Sequence, residues 1–232
     1  MIADPPAAEY APPVLRPAIA ATVGAIAAIA FAALAIWVAR HGSAAPAVDE
    51  RIHRWIIADR SAGSVAVARV VTWAGVTKVV LPALLVIGVA VAAGGREISR
   101  RLGSGVLLGC VAGAGILAEI QINSLIDRMR PPMADWAGTA GGPAFPSGHT
   151  TAATLFAACA AWALAARVRP GWPRRAIWAG AVGYAAAVGW SRIWLGVHWP
   201  TDVLGGWLFA VAWSAGSAAL IGIARKPGPA RP

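Results

Sequence analysis

Long apolar runs recur along this chain, and they limit its possible folds more than any other feature. Six of them cover about residues 17–39, 72–94, 103–124, 149–167, 176–193 and 202–224. An α-helix needs ~20 apolar residues to cross the hydrocarbon core of a bilayer. Because backbone polar groups cannot reach water there, such segments span as helices. The sequence therefore predicts an all-α bundle of six transmembrane helices over residues 17–224, with tails at 1–16 and 225–232.

Composition also indicates a membrane protein. Of the 232 residues, 58% are hydrophobic and 13% are charged, whereas about 25% of residues are charged in soluble domains. The net charge of +10 comes from Lys and Arg residues scattered between apolar runs, so no nucleic-acid partner is expected. Cys110 and Cys159 lie inside apolar runs, where cysteine behaves as a small hydrophobe, and they indicate neither a disulfide nor a zinc site.

The first apolar run has an alternative interpretation as a signal peptide, because small residues at 43–47 resemble a cleavage site. However, the run is longer than the ~7–15-residue apolar core of a signal peptide. Its leading segment also carries Asp4 and Glu9 rather than a basic cluster. A retained helix is therefore favoured. Residues 46–62 are charged and amphipathic, with Ile52, Trp55, Ile56 and Ile57 near one face, and this pattern predicts a helix along the membrane interface.

Basic connections predict the orientation in the membrane. Segments 94–101 and 167–175 are short and rich in arginine, which is typical of cytoplasmic loops. Both termini are then also cytoplasmic, because six crossings return the chain to its starting side. The first connection carries four arginines and favours the opposite orientation, but it is longer and has three balancing acidic residues. Segments 125–148 and 194–201 are thus expected together on the extracytoplasmic face of the cell membrane.

Polar residues concentrate in these two outer segments. Arg130-Pro131 follows the third run, Pro146-Ser147-Gly148-His149 opens the fourth, and Ser191-Arg192 precedes His198 and Asp202. This arrangement resembles the signature of the type 2 phosphatidic acid phosphatase and vanadium haloperoxidase superfamily, which reads K-x6-R-P, P-S-G-H and S-R-x5-H-x3-D. The second and third parts match completely. In the first part, Asn123 stands where the signature has lysine.

The residue types suit phosphate chemistry on physical grounds. The planar guanidinium groups of Arg130 and Arg192 can hold phosphate oxygens through charge-assisted hydrogen bonds. Ser147 and Gly148 stand at the start of a predicted helix, where backbone N–H groups bind anions. Taken singly, Ser147 is equally typical of a helix cap and the arginines of interfacial anchors. Asn123 lies on the same helical face as Arg130, so we expect it to donate a hydrogen bond to phosphate without adding charge.

The resemblance implies roles for the remaining residues. His198 is expected to be the nucleophile that forms a phosphohistidine, with Asp202 fixing its tautomer and orientation. His149 is expected to protonate the leaving group and later to act as the base for water. The scheme needs no metal and no cofactor, because arginines and helix dipoles neutralise the phosphate. Glu119 is an acid at membrane depth, and Lys78 is one candidate partner for it.

The predicted function is an integral membrane phosphatase whose partner molecules are the bilayer and a lipid phosphate. The resemblance suggests polyprenyl diphosphate, phosphatidate or phosphatidylglycerophosphate, and the sequence does not choose among them. Haloperoxidase activity is expected in soluble relatives and is disfavoured by six spans. The alternative from another class is a lipid-phosphate-binding or transport protein with impaired catalysis, which the loss of lysine at position 123 makes conceivable.

Overall fold

A computed structural model describes residues 17–42, 44–91 and 98–224 of the chain. These residues form eight α-helices and one short 3-10 helix, with no strand among them. The helices are α1 (Pro17–Arg40), α2 (Ala47–Asp59), α3 (Ala62–Trp73), α4 (Thr77–Val91), α5 (Ile98–Ile126), α6 (Gly148–Ala165), α7 (Trp172–Trp194) and α8 (Pro200–Ala224), with the 3-10 helix at Met133–Asp135. The tails at 1–16 and 225–232 and residues 94–97 of the basic connection lie outside the described residues.

Within the described part of the chain, three helices are each long and apolar enough to cross a membrane, namely α1, α8 and the Gly105–Ile126 portion of α5. Helices α3 and α4 meet the same criterion as a pair, although they are bent by 51° at the break between them. The chain is therefore a multi-pass membrane protein. Helices α6 and α7 occupy the fourth and fifth predicted runs, and the count of six spans stays a prediction.

The second predicted run, 72–94, differs from the helices that form there. Helix α3 already begins at Ala62, and the break falls inside the run, between Trp73 and Thr77. Gly75 lies in this break. A Cβ atom on it would come 2.5 Å from Val188 Cγ1 and 3.2 Å from the His149 carbonyl oxygen, closer than side-chain atoms pack. The break packs closely against α6 and α7. Such a contact depends on tertiary structure, and counting apolar residues along the run does not predict it.

Helix α6 is the centre of the bundle and packs against α4, α5, α7 and α8. Its sequence is rich in alanine, and 12 of its 18 residues are buried. Small side chains allow neighbouring helix backbones to approach closely where no hydrophobic effect drives association. The core around it contains Leu84, Leu108, Ile116 and Leu155. A tightly packed α6 gives a rigid support for the residues at its N-terminus.

Helix α2 was expected to lie along the interface with its isoleucines and Trp55 on one face, and its position relative to the membrane stays a prediction. The structure turns Asp49, His53 and Ile56 toward the protein, a spacing that places them on one helical face. Ile56 packs against Ile193 and Val203, whereas Trp55 is 55% exposed. The helix therefore docks on α7 and α8 through a face that includes a buried acid.

Candidate active site

The two polar segments that the sequence placed together do meet, at one end of α5, α6, α7 and α8. Helix α5 stops at Ile126, and Asp127 follows with φ +47°, a left-handed conformation that Asp tolerates better than most residues. The Ala137 N–H donates to the Leu195 carbonyl at 2.9 Å. Gly196 adopts φ +70°, and a Cβ atom on it would lie 2.6 Å from the Asp135 carbonyl oxygen. Only glycine suits this turn, which lets the two segments touch.

His198 and Asp202 form a buried pair at the start of α8. His198 is 2% exposed and Asp202 is fully buried. The His198 Nδ1 atom lies 3.3 Å from Asp202 Oδ2, and the Trp199 N–H donates to the same oxygen at 2.8 Å. Two of the predicted catalytic residues are therefore adjacent, with Nδ1 turned to the carboxylate and Nε2 pointing the other way.

Arg130 lies against the Nε2 side of His198. Its Nη1 donates to His198 Nε2 at 2.8 Å and to the Val197 carbonyl at 2.8 Å. Its other nitrogens donate to the carbonyls of Gly141, Gly142 and Pro143 at 2.8–3.0 Å. The guanidinium thus joins the segments 125–148 and 194–201 and places a positive charge beside His198 Nε2.

Arg192 is 2% exposed and approaches from α7. Its Nη1 donates to Thr72 Oγ1 at 2.9 Å, and its Nη2 donates to the Thr139 carbonyl at 3.2 Å. Its Nε is buried without a hydrogen-bond partner in the described part of the chain. Buried donors in native proteins are normally paired, so an anion that fills this position would satisfy a donor that the protein leaves open.

A cavity of about 510 Å³ opens beside Arg192 and His149. His149 stands in the first turn of α6. Helix α3 forms one wall of the cavity, and residues 136–139 of the outer segment form another. The lining residues are Arg69, Thr72, Trp73, Val76, Trp136, Ala137, Gly138, Thr139, His149, Arg192 and Leu195. The cavity is basic and carries no acidic side chain among those residues.

Ser147 and Gly148 form the turn into α6. The buried Ser147 donates its backbone N–H to the Asp202 carbonyl at 3.0 Å, and its Oγ accepts from Thr150 Oγ1 at 3.0 Å. Gly148 lies against Glu119, because a Cβ atom on it would be 3.5 Å from both carboxylate oxygens. Among the described residues Glu119 makes no ion pair with Lys78. The turn therefore ties the start of α6 to the start of α8.

Comparison with known proteins identifies the family. The PAP2 superfamily model matches residues 103–225, which is more than half of the chain. The chain belongs to the PAP2 superfamily. Phosphatidylglycerophosphatase B of Bacillus subtilis (strain 168) is 30% identical over 171 residues, which are 72% of this chain and 79% of that protein. The resemblance seen in the three-part signature is thus confirmed.

Two solved structures resemble this one. A transmembrane PAP2-type phosphatidylglycerolphosphate phosphatase from Bacillus subtilis superposes with a TM-score of 0.72 at 25% identity, covering 87% of this chain and 94% of that chain. Aquifex aeolicus LpxE superposes with a TM-score of 0.56 at 20% identity, covering 77% of this chain and 96% of that chain. The all-helical PAP2 fold is therefore shared over most of the sequence.

Asn123, at the lysine position of the PAP2 signature, donates to the backbone. Its Nδ2 lies 3.2 Å from each of the carbonyl oxygens of Pro143, Phe145 and Pro146, and, like Arg130 and His198, it is not among the residues that line the cavity. The amide hydrogens expected to contact phosphate are used on the backbone instead. Asn123 therefore holds the segment that precedes Ser147.

Sequence reasoning missed four residues of this PAP2 site, namely Asp49, Arg69, Thr72 and Arg128. Arg128 lies two residues beyond the end of α5. It is 5% exposed and forms ion pairs with Asp49 and Asp202. Its position two residues before Arg130 was the feature of the sequence that could have marked it as a site residue. Nothing in the pattern of residues 46–73 marked Asp49, Arg69 or Thr72.

The electrostatics of the PAP2 site favour a neutral His198. Burial holds the pKa of His198 well below its usual range, and the nearby charges of Arg130 and Arg192 lower this pKa further. An imidazole that is neutral near pH 7 keeps a lone pair on one nitrogen. With Nδ1 facing the Asp202 carboxylate, that lone pair is on Nε2, which is the geometry a nucleophile requires.

Proposed function

We propose that this protein is a membrane phosphatase that hydrolyses lipid phosphate esters or diphosphates through a phosphohistidine at His198. The placement of His198 supports this proposal most directly. Its Nδ1 faces Asp202 and its Nε2 faces a guanidinium, so the ring is oriented and the attacking nitrogen is beside a phosphate-binding group. The relatives named as phosphatidylglycerophosphatases support the class of substrate.

In the proposed first step, phosphate oxygens bind to Arg130 and Arg192. The Nη1 atom of Arg130, which donates to His198 Nε2 in this structure, transfers its hydrogen bond to a phosphate oxygen. Nε2 attacks phosphorus, the P–N bond forms, and the bond from phosphorus to the lipid oxygen breaks. Protonated His149 gives its proton to that oxygen. The arginines stabilise the charge that spreads over the phosphoryl oxygens.

In the second step, water attacks the phosphohistidine. His149, now neutral, takes a proton from the water, the P–N bond breaks, and inorganic phosphate leaves. The lone pair returns to His198 Nε2, so the enzyme is regenerated without a redox change. The proposed steps use side chains of this chain alone and require no metal ion.

The cavity supports a lipid substrate. At about 510 Å³ it is larger than a phosphate group needs, and it extends from His149 and Arg192 toward α3. Trp73 at its wall is 68% exposed, as is typical of an aromatic residue at a membrane interface. We infer that the headgroup enters this cavity while the acyl or prenyl chains remain among the helices. The site is proposed to face the extracytoplasmic side, with both termini in the cytoplasm.

The proposal is tested with purified protein by measuring inorganic phosphate release from phosphatidylglycerophosphate, phosphatidate and a polyprenyl diphosphate. His198→Ala should reduce turnover by about 10³-fold or more, because binding energy alone cannot replace the nucleophile. His41→Ala is the matched control, since the ring of this exposed histidine at the end of α1 bonds to the Trp37 carbonyl and to no other group among the described residues. Vanadate should inhibit the wild type as a transition-state mimic.

Normal phosphate release by His198→Ala would contradict the covalent mechanism. A wild type that binds these lipids but releases no phosphate would instead support the binding or transport alternative. Activity that is insensitive to vanadate and restored only by a divalent metal would indicate a metallophosphatase. Hydrolysis is read from the phosphate assay, and lipid binding is measured separately.

A further inference from the structure

Asp49 is a carboxylate buried in a membrane protein, at a position where it is costly unless it is paired. It is fully buried in the first turn of α2. An isolated ionised carboxylate in such a place carries a desolvation penalty of several kcal/mol. Its Oδ1 accepts the Thr201 N–H at 2.9 Å, and its Oδ2 accepts from Arg128 Nη2 at 2.7 Å and from the Thr201 hydroxyl. The carboxylate therefore caps α8 and pairs with an arginine.

Arg128 connects this carboxylate to the one beside the nucleophile. Its Nη1 donates to Asp202 Oδ1 and to Thr201 Oγ1, the latter at 2.7 Å. Both carboxylates that it joins are fully buried. One guanidinium thus lies between two acids whose residues are 153 positions apart in the sequence, from Asp49 to Asp202. This bridge fastens α2 to the start of α8.

The bridge leaves Asp202 only one orientation that keeps all its hydrogen bonds. Oδ1 accepts from Arg128, while Oδ2 accepts the Trp199 N–H and faces His198 Nδ1. Rotation of the carboxylate would break contacts on both oxygens. Because Asp202 sets the orientation of the His198 ring, the network continues from α2 to the nucleophile in the order Asp49, Arg128, Asp202, His198.

We infer that Asp49 and Arg128 are positioning residues, which hold the Asp202 carboxylate so that His198 presents Nε2 to phosphorus. This inference rests on His198 being the nucleophile, as proposed above. Residues that hold a functional side chain in place through hydrogen bonds typically change activity by ~10–100-fold when they are removed. The loss should fall on kcat, because neither residue lines the cavity.

The charge of Arg128 also predicts the direction in which the pKa of His198 changes when Arg128 is replaced. Several charged or titratable groups act on His198 from the elements around it: Arg128, Arg130, His149, Arg192 and Asp202. Arg128 is one of the charges that lower the pKa of His198, and the carboxylate of Asp49 offsets part of its charge. Removing Arg128 should therefore raise the pKa of His198, and removing the charge of Asp49 should lower it.

The experiment compares Arg128→Gln, Arg128→Lys and Asp49→Asn with the wild type. His198 attacks only when neutral, so the acid limb of kcat/KM should move to higher pH in Arg128→Gln and to lower pH in Asp49→Asn. For Arg128→Gln we expect kcat to fall by about 10–100-fold with KM changed by less than about twofold. Arg128→Lys should recover part of kcat, because it restores the charge without the planar fork.

Asp135→Ala is the matched control. Asp135 Oδ2 lies 2.9 Å from Nε2 of His53. His53 is one helical turn after Asp49 and lies on the same face of α2. Its removal loosens the docking of α2 without touching Arg128 or Asp202. If Asp135→Ala lowers kcat as much as Arg128→Gln does, or if Arg128→Gln does not move the acid limb, the network only docks α2 and the inference is wrong.

Binding of orthovanadate, measured by calorimetry, separates this inference from the proposed function. Vanadate placed against Nε2 mimics the transition state, so Arg128→Gln should weaken its binding by the same ~10–100-fold even if no tested lipid is hydrolysed. If the wild type binds vanadate and Arg128→Gln binds it with the same affinity, the inference is overturned and the proposed function is not. Wild-type protein that binds no vanadate overturns both proposals.

Discussion

Replacement of Asn123 tests whether this residue holds the loop before Ser147 or binds phosphate. Asn123→Ala removes the Nδ2 atom that lies 3.2 Å from the carbonyls of Pro143, Phe145 and Pro146. These carbonyls belong to the segment that also accepts hydrogen bonds from Arg130 and leads into α6. We expect the segment to loosen in the free protein, before any substrate binds.

The size of the destabilisation by Asn123→Ala follows from the number of hydrogen-bond donors that Asn123 supplies. The amide has two hydrogens for three carbonyls, and each contact is near the long end of the hydrogen-bond range. A buried acceptor left without a donor costs about 1–3 kcal/mol. The site is half-buried, so water replaces part of the loss, and we expect a net destabilisation of about 2 kcal/mol. For a chain of this size that lowers Tm by about 4–8 °C.

The assay is thermal unfolding of the detergent-solubilised protein without ligand, combined with vanadate titration. Asn123→Lys is the matched variant, because its ammonium keeps donors for the same carbonyls. We expect its Tm to stay within about 2 °C of the wild type, and its vanadate binding to tighten through the added charge. If Asn123→Ala keeps the wild-type Tm but loses vanadate affinity, the residue is a phosphate ligand as the sequence suggested. If both quantities are unchanged, position 123 is outside the functional site.

Two further predictions follow from the cavity and from the charge pattern. Arg69 lines the same cavity as His149, the proposed acid for the leaving group, so Arg69→Ala should raise KM for a polyprenyl diphosphate by about tenfold or more through loss of a charge-assisted hydrogen bond. KM for phosphatidate should change by less than about twofold, and equal changes in steady-state kinetics would argue against a second phosphate there. For the orientation, single cysteines at Gly141 and Gly228 are introduced into a background that lacks Cys110 and Cys159. The cysteine at 141 should react with an impermeant maleimide in intact cells, and the one at 228 only after permeabilisation. The reverse pattern would invert the orientation.

Several features could be predicted from the sequence because each carries its own local signal. An apolar run of about 20 residues predicts a membrane helix wherever its neighbours lie, and α1, α5 and α8 formed close to the expected bounds. His198 and Asp202 are one helical turn apart, so their pairing depends on local geometry. The family signature marked these residues and Arg130, and the structure brings Arg130 against His198.

Other features depend on which distant segments pack together. Asn123 has the right helical face for a phosphate ligand, but the loop from Pro143 to Pro146 folds over it and takes its donors. The break at Gly75 lies directly against Val188 of α7 and His149 of α6. These contacts join distant segments, so no periodic pattern in the sequence predicts them.

The network around Arg128 shows the physical reason most clearly. The sequence by itself determined that the chain crosses a membrane and carries most of the PAP2 signature, because hydrophobic length and a spaced motif are properties of single segments. The tertiary structure decided that Asp49 and Asp202 share Arg128. A charge buried in a bundle must be neutralised by whatever charge lies within a few ångströms. That neighbour is chosen by helix packing across the whole bundle, and not by distance along the chain.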